Sequence, residues 1–465
     1  MSVGSGAIAS LSVGRSRTNG RLTLVTIAAA TCLLMVPALW NGFVFLYWDS
    51  KDYIQVPFTW TLPQYRTLPY PLFSGLARIA GSPWIVAWLQ SLLAAYLLHE
   101  SLAVFTRWSP ARALLPVTLL LVLVTGLPWF TGQLMPDAFT GLVVLGFASL
   151  AFGGRRLSPA RRAALTLLVL LGAMLHTSHF GVLAGLILSM WVLGRWIGER
   201  HLGGRPQLGL PLLALAGAAV LTLALHWVFL GKAVLTQPSE LLWLGRLVED
   251  DIAQQLLDDV CPRQPQTYRL CAFRDRLPET ANSFLWDVNN IPTQLGGWDA
   301  LRAEARQILK DSLERYPGLH LRSALNLTVR QFFMLQTGDG MVDNYYMMFD
   351  SLEARYPQGH LQFKASRQRS GIDFATINQI EVPILLGAQV LLLVLLPWAW
   401  RNRDGLATAL IITVWLALLG NAFICGALSN PNHRYQSRIA WIAVFAVVAV
   451  TLGRRQTDDP NPVLP

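Results

Sequence analysis

Charge is scarce in this chain. Asp, Glu, Lys and Arg make up 14% of its 465 residues, against about 25% in an ordinary soluble domain. A water-soluble globular enzyme is thereby excluded. Cysteine is scarce too: there are four, and no CxxC pair among them, which removes zinc-ribbon and thioredoxin-type sites. No internal repeat and no low-complexity tract is visible, so the paired half-chain pattern of many secondary transporters is missing. A net charge of +10 invites a nucleic-acid reading, but the basic residues are confined to short connections between apolar runs. That distribution is an orientation signal.

What is present is apolar sequence. The chain is 53% hydrophobic with a mean hydropathy of +0.41, and its apolar runs recur at bilayer-spanning length. Ten spans are expected: Leu22–Tyr47, Trp84–Phe105, Ala113–Leu127, Ala138–Phe152, Ala163–Leu175, Phe180–Ile197, Leu208–Leu230, Val382–Trp400, Leu406–Ile424 and Ile439–Leu452. Arg15, Arg17 and Arg21 precede the first, which lacks a clear small-residue cleavage site and reads as a retained span. Arg107 and Arg112, Arg155 to Arg162, Arg195 to Arg205, Arg401 and Arg403, and Arg454 and Arg455 mark every second connection. Their alternation places both termini in the cytoplasm. Three of the runs fall short of a straight crossing, which implies irregular backbone around a cavity open to the outer face. The expected class is an all-α polytopic membrane protein with an outer, mainly helical domain.

The expected organisation is a membrane region over residues 1–231, an extracytoplasmic soluble domain over 232–380, and a second membrane region over 381–465. The middle segment has ordinary soluble composition, with three Lys and 13 Arg against 18 Asp plus Glu. Its run WDALRAEARQILKDSLERYPGLHLRSALNLTVRQFFML reads as two amphipathic helices split at Pro317-Gly318. Cys261 and Cys271 lie in it, and an oxidising compartment would join them in a disulfide. Cys32 and Cys425 read as buried small hydrophobes. The tail QTDDPNPVLP is expected to be disordered.

The stretch FLYWDSKDYI delivers Asp49 and Asp52 just past the first span. A proline-broken aromatic segment follows, carrying Arg66 and Tyr70, and reads as interfacial. On the same outer side come Asp137 in QLMPDAFTG, His176 and His179 in HTSHF, and Arg434, Tyr435 and Arg438 in SNPNHRYQSR. Charges near membrane depth are costly and face a cavity or a partner. Each residue also has a plainer reading. Asp49 and Asp52 suit a helix cap or an interface mark. Asp137 suits a helix N-terminus, and the arginines suit lipid head groups. The two histidines at i, i+3 suit one helix face and leave a metal open. The convergence of carboxylates, histidines and arginines points to an anionic ligand handled by acid–base chemistry.

These residues resemble a known superfamily, the GT-C glycosyltransferases, which use polyprenyl-phosphate-linked sugars at the outer face of a membrane. YWDSKDY puts Asp49 where such enzymes carry an acidic residue just past the first span. RTLPYPLF, from Arg66 to Phe73, is similar to their interfacial Arg, Pro and Tyr-Pro step. MPDAFTG would supply the second acidic residue, Asp137. HRY, from His433 to Tyr435, resembles a late basic-aromatic step that holds lipid phosphate. The likeness covers about two thirds of the chain. The second acidic site is a lone aspartate, so metal dependence stays open, and the outer domain sits between the seventh and eighth spans.

The resemblance implies an inverting transfer of a sugar from a polyprenyl-phosphate donor to an envelope glycan, lipid or protein acceptor. It would take place at the outer face of a bacterial inner membrane. Asp49 would be the general base, with Asp137 the second catalytic carboxylate. Arg66, Tyr70, His176, His179, Arg434, Tyr435 and Arg438 would bind substrate and steady the leaving phosphate. A divalent cation is left open as cofactor. The alternatives are a lipid-linked glycan polymerase or ligase, and a membrane transporter or flippase.

Overall fold

The computed structural model describes residues 5–63, 65–236, 240–341 and 346–453. Arg454, Arg455 and the C-terminal tail lie outside the described residues. Among the described residues the chain is helical, and the one extended pairing is an isolated parallel bridge between Phe45 and Gln133.

Seven helices are long and apolar enough to cross a membrane: Gly20–Asn41, Trp84–Phe105, Thr177–His201, Gly209–Leu230, Phe374–Arg401, Gly405–Ala427 and His433–Gly453. Their outward faces carry Leu24, Leu188, Trp196, Val220, Val228 and Val394, all exposed. A continuous apolar exterior of this kind belongs in lipid rather than water. Cys32 shares that exterior, whereas Cys425 is buried as expected. The other three expected spans are also helices, but short: Pro110–Val124 and Ala138–Phe152 have 15 residues each and Pro159–Leu175 has 17. At about 1.5 Å per residue they reach less than the roughly 30 Å of a hydrocarbon core. Ala138–Phe152 is the centre of the bundle, buried on every side from Ala138 to Ala151. All-round burial is why it is apolar all round.

One end of the bundle gathers the basic connections. Arg156 Nη1 donates to Val104 O at 2.5 Å, and Arg161 Nε meets the buried Glu100 Oε2 at 2.5 Å. His201 stacks on Trp400 with ring centroids 3.6 Å apart, and Gln207 N donates to Ala151 O. The opposite ends of the same helices carry the candidate polar residues.

The first helix, Ser5–Asn41, is shorter at its C-terminus than the expected span ending at Tyr47. Gly42, at φ +86°, stops it in the left-handed region that glycine enters without a Cβ penalty. Asp49 therefore stands eight residues beyond the helix, past a buried extended run.

Residues 232–380 pack in two places. Leu244, Leu256, Phe284, Leu301 and Ile308 form a separate apolar core over residues 241–308, and the disulfide joins Cys261 to Cys271 there, Cα to Cα 5.6 Å. Met348, Leu352, Tyr356 and Phe363 instead share a core with Phe43, Phe45 and Trp129 of the membrane region's connections. Between them the expected helix pair is present as Trp298–Arg315 and Pro317–Phe332. Pro317–Phe332 lies directly on Gly405–Ala427. A Cβ at Gly426 would come within 2.5 Å of Leu327 O, so glycine is what permits that approach.

Candidate functional site

The site is assembled by a loop that the sequence leaves featureless. After Gly42 the backbone runs extended and is stitched to the connection before Asp137: Phe45 N donates to Gly132 O at 3.0 Å, and Leu134 N to Phe45 O at 2.9 Å. The Gln368 amide brackets Leu46 from the other side, accepting from Leu46 N at 3.1 Å and donating to Leu46 O at 2.8 Å. Two carboxylates 88 residues apart in sequence (137 minus 49) are thereby held on one face. Asp49 precedes the helix Ser50–Thr59 and Asp137 precedes Ala138–Phe152, yet neither side chain caps its helix. Both carboxylates turn instead toward arginines.

The result is a chain of alternating charges. Arg66 pairs with Asp49 through Nη2 and with Asp52 through Nε at 2.8 Å. Arg434 Nη1 lies 3.5 Å from Asp49 Oδ2 and 3.9 Å from Asp137 Oδ2. Arg438 Nη1 donates to Asp137 Oδ1 at 2.7 Å. Arg434 is sandwiched by aromatic rings, its Cζ 4.0 Å from the Tyr47 centroid and 5.0 Å from that of Tyr435. Burial pushes the Asp49 carboxyl up, but the guanidiniums of Arg66 and Arg434 outweigh it and hold the group below its ordinary value. Burial wins at Asp52, which is raised in spite of Arg66.

Beside this chain lies a cavity of about 340 Å³. Its wall includes Tyr53, Arg66, Tyr70, His176, Ser178 and Tyr435, drawn from separate connections. Tyr70 Oη donates to Gln90 Oε1 at 2.9 Å, and its ring meets Tyr53 edge-on at 4.6 Å. Burial pushes both tyrosine hydroxyls up, so they stay protonated donors. Arg66 is the guanidinium on the wall. Asp49 sits one contact behind it, and Arg434 and Arg438 lie behind Tyr435.

The two histidines part company. His176 lies on the cavity wall, and its Nδ1 accepts from Ser178 N at 3.2 Å and faces Ser178 Oγ at 2.8 Å, which leaves the ring proton on Nε2. His179 is buried, with Nδ1 on Gly172 O at 2.7 Å and Nε2 on Thr140 Oγ1 at 2.8 Å. The ring centroids are 5.4 Å apart, but both nitrogens of His179 are committed to its neighbours, so a shared ligand pair is not formed.

Arg438 is wholly buried. Its Nη2 donates to Ser178 Oγ at 3.0 Å and to Cys425 Sγ at 3.5 Å. Trp441 fixes the backbone beneath it through Nε1 to Arg438 O at 3.0 Å. Gly141 makes room for that indole: a Cβ there would stand 2.6 Å from Trp441 Cζ2. The arrangement therefore orders the expected residues by depth. Arg66, Tyr70, His176 and Tyr435 reach the cavity; Asp49 and Arg434 form the next layer; Asp137, Arg438 and His179 are structural depth.

Several participants escape the sequence reading. Tyr47, two residues before Asp49, and Tyr53, one helical turn after it, carry a local signal. Gln368 and Cys425, hundreds of residues away, carry none. The donor set does not fit a resident divalent ion. Among the described residues no three of His, Cys, Asp and Glu converge as ligands, and Asp49, Asp52 and Asp137 are each taken by guanidinium. Comparison with protein-family models, with curated proteins and with solved structures gives no match for this chain.

Proposed function

We propose that the chain is an integral membrane glycosyltransferase. It would move a sugar from a polyprenyl-phosphate-linked donor to an envelope acceptor at the outer face of a bacterial inner membrane. In this reading the ten helices span or enter the bilayer, both termini are cytoplasmic, and residues 232–380 are extracytoplasmic. The observation that carries the proposal is the cavity wall. It offers a guanidinium, a neutral imidazole and four tyrosines, with an ionised carboxylate directly behind the guanidinium.

The chemistry follows from that layering. The acceptor hydroxyl oxygen attacks the anomeric carbon, and the bond from that carbon to the phosphate oxygen breaks with its electron pair going to phosphate. The hydroxyl proton passes to Asp49. Arg66 pairs with the phosphate as its charge develops. Phosphate arriving at Arg66 competes with Asp49 for the same guanidinium. Losing that partner returns the carboxyl toward its ordinary basicity, so donor binding arms the base. A single displacement inverts the anomeric centre. The aromatic faces of Tyr53, Tyr70 and Tyr435 suit a sugar ring.

The test is sugar transfer by the purified protein in proteoliposomes from a panel of labelled polyprenyl-phosphate sugars. Transfer that requires Arg66 supports the reading. A panel without any transfer, from protein that still binds the lipid phosphate, overturns it.

A further inference from the structure

The family resemblance leaves a divalent cation open as cofactor, and the donor set described above does not fit one. We infer that Arg434 is the built-in cation of this site: its guanidinium stands between Asp49 and Asp137, where a metal ion would bridge them, and the site operates without a resident metal. The inference rests on the glycosyltransferase reading only for the consequence in activity; the claim about the cation stands on geometry alone.

Three observations carry it. First, Arg434 Nη1 is within ion-pair range of both carboxylates, at 3.5 Å from Asp49 Oδ2 and 3.9 Å from Asp137 Oδ2. Nη1 and Nε of Arg434, and Asp137 Oδ2, are buried with no hydrogen-bond partner among the described residues. One of the unsatisfied donors, Arg434 Nη1, thus stands 3.9 Å from the unsatisfied acceptor Asp137 Oδ2. Second, the flanking groups are those a guanidinium selects. Tyr47 and Tyr435 present ring faces at 4.0 and 5.0 Å, a cage for a flat organic cation. Magnesium or calcium would need oxygen ligands at about 2.0–2.6 Å. Third, each of the three carboxylates already has a guanidinium partner, and Asp339 Oδ2 also reaches Arg434, accepting from its backbone N at 3.4 Å. Asp49, Asp52 and Asp137 face Arg66, Arg434 and Arg438. A divalent ion would bring two more positive charges into a buried place that already holds three guanidiniums, which is costly.

A metal would also have to displace a side chain that is locked in place. Arg434 N donates to Asn432 Oδ1 at 3.0 Å, and its guanidinium reaches Tyr435 Oη at 3.4 Å. The residue lies in the first turn of the helix His433–Gly453, whose body is buried. The cation is positioned by the fold, so it needs no recruitment from solution.

The experiment measures Mn²⁺ binding to the purified full chain by electron paramagnetic resonance, with no sugar donor present. Wild-type protein should show no Mn²⁺ binding that depends on the two carboxylates: Asp49→Asn and Asp137→Asn leave the titration unchanged. Arg434→Ala removes a unit charge within about 4 Å of both carboxylates and should tighten Mn²⁺ binding by at least about tenfold. Adding Asp49→Asn to that variant should abolish the gain, and Arg434→Lys should show none. Arg434→Gln, which keeps a planar amide between the two rings, carries the test if the alanine variant does not fold. Wild-type Mn²⁺ binding that disappears in Asp49→Asn or Asp137→Asn overturns the inference. So does a folded Arg434→Ala or Arg434→Gln protein that gains no binding. Transfer activity, if found, should withstand a chelator. The binding result does not depend on that activity, so failure of one leaves the other readable.

Discussion

Arg438 and Asp137, 301 residues apart in the chain, meet at 2.7 Å with neither side chain reaching the surface. A pair so deep is costly to form and more costly to break, because removing one partner strands the other charge. Arg438→Ala should destabilise the protein by about 3–5 kcal/mol, read as a lower melting temperature in detergent. Replacing both partners, as Asp137→Asn with Arg438→Met, should recover much of the loss. A double variant that melts lower than Arg438→Ala would show that Arg438 supports the bundle by packing rather than by its charge.

Asp49 is the expected base, and its environment sets a specific pattern. Asp49→Asn keeps the shape and removes the basicity, so turnover of the folded protein should fall by about 10²–10⁴. Asp52→Asn should do less, since among the described residues the ion pair of Asp52 is with Arg66 and not with Arg434. Side-by-side assay of the two variants with Asp137→Asn decides the assignment. Activity retained in Asp49→Asn and lost in Asp137→Asn would move the base to Asp137.

The two loop carboxylates should pull the acid limb of stability in opposite directions. Asp49 is held below its ordinary value in the folded protein, so the stability it contributes is full above about pH 4 and drains as pH falls through the folded value. Asp52 is raised, so its contribution is full below the unfolded value and is lost as pH rises through the folded one. Asp49→Asn should therefore flatten the loss of melting temperature on acidification, and Asp52→Asn should steepen it. Identical slopes in the two variants would contradict this balance of burial and pairing.

The Cys261–Cys271 bond closes a short loop in the separate core over residues 241–308. By the chain-entropy account a loop of that length contributes about 2–3 kcal/mol. Cys261→Ser should expose protease sites in this core before the membrane bundle yields. Peptide mass mapping without reduction provides the direct check, and two free thiols would refute the bond.

Orientation is testable without any substrate. Reporters fused after Arg112, Arg162 and Arg205 should read as cytoplasmic, and one placed within residues 232–380 should read as external. A cytoplasmic signal from the large segment would invert the proposed topology and put the cavity on the wrong side for a lipid-linked donor.

The sequence by itself determined the helical class, the positions of the long apolar helices, the break at Pro317 and the cysteine pair. These are local properties: composition sets which segments leave water, proline and glycine set where helices stop, and a ten-residue separation brings two cysteines together. It also nominated most of the polar residues, because a charge beside an apolar run is conspicuous. What only the tertiary structure decided is their rank. Asp49 was legible as a charge near the first helix, but its two guanidinium partners come from Arg66 and Arg434, and the loop that presents it is fixed by Gln368. His176 and His179 look alike in HTSHF, yet one turns to the cavity and the other into the bundle. Arg438 reads as a surface phosphate ligand and is a buried partner of Asp137 instead. Pairing across hundreds of residues costs chain entropy that only the packed bundle repays, so no local pattern records which charge meets which.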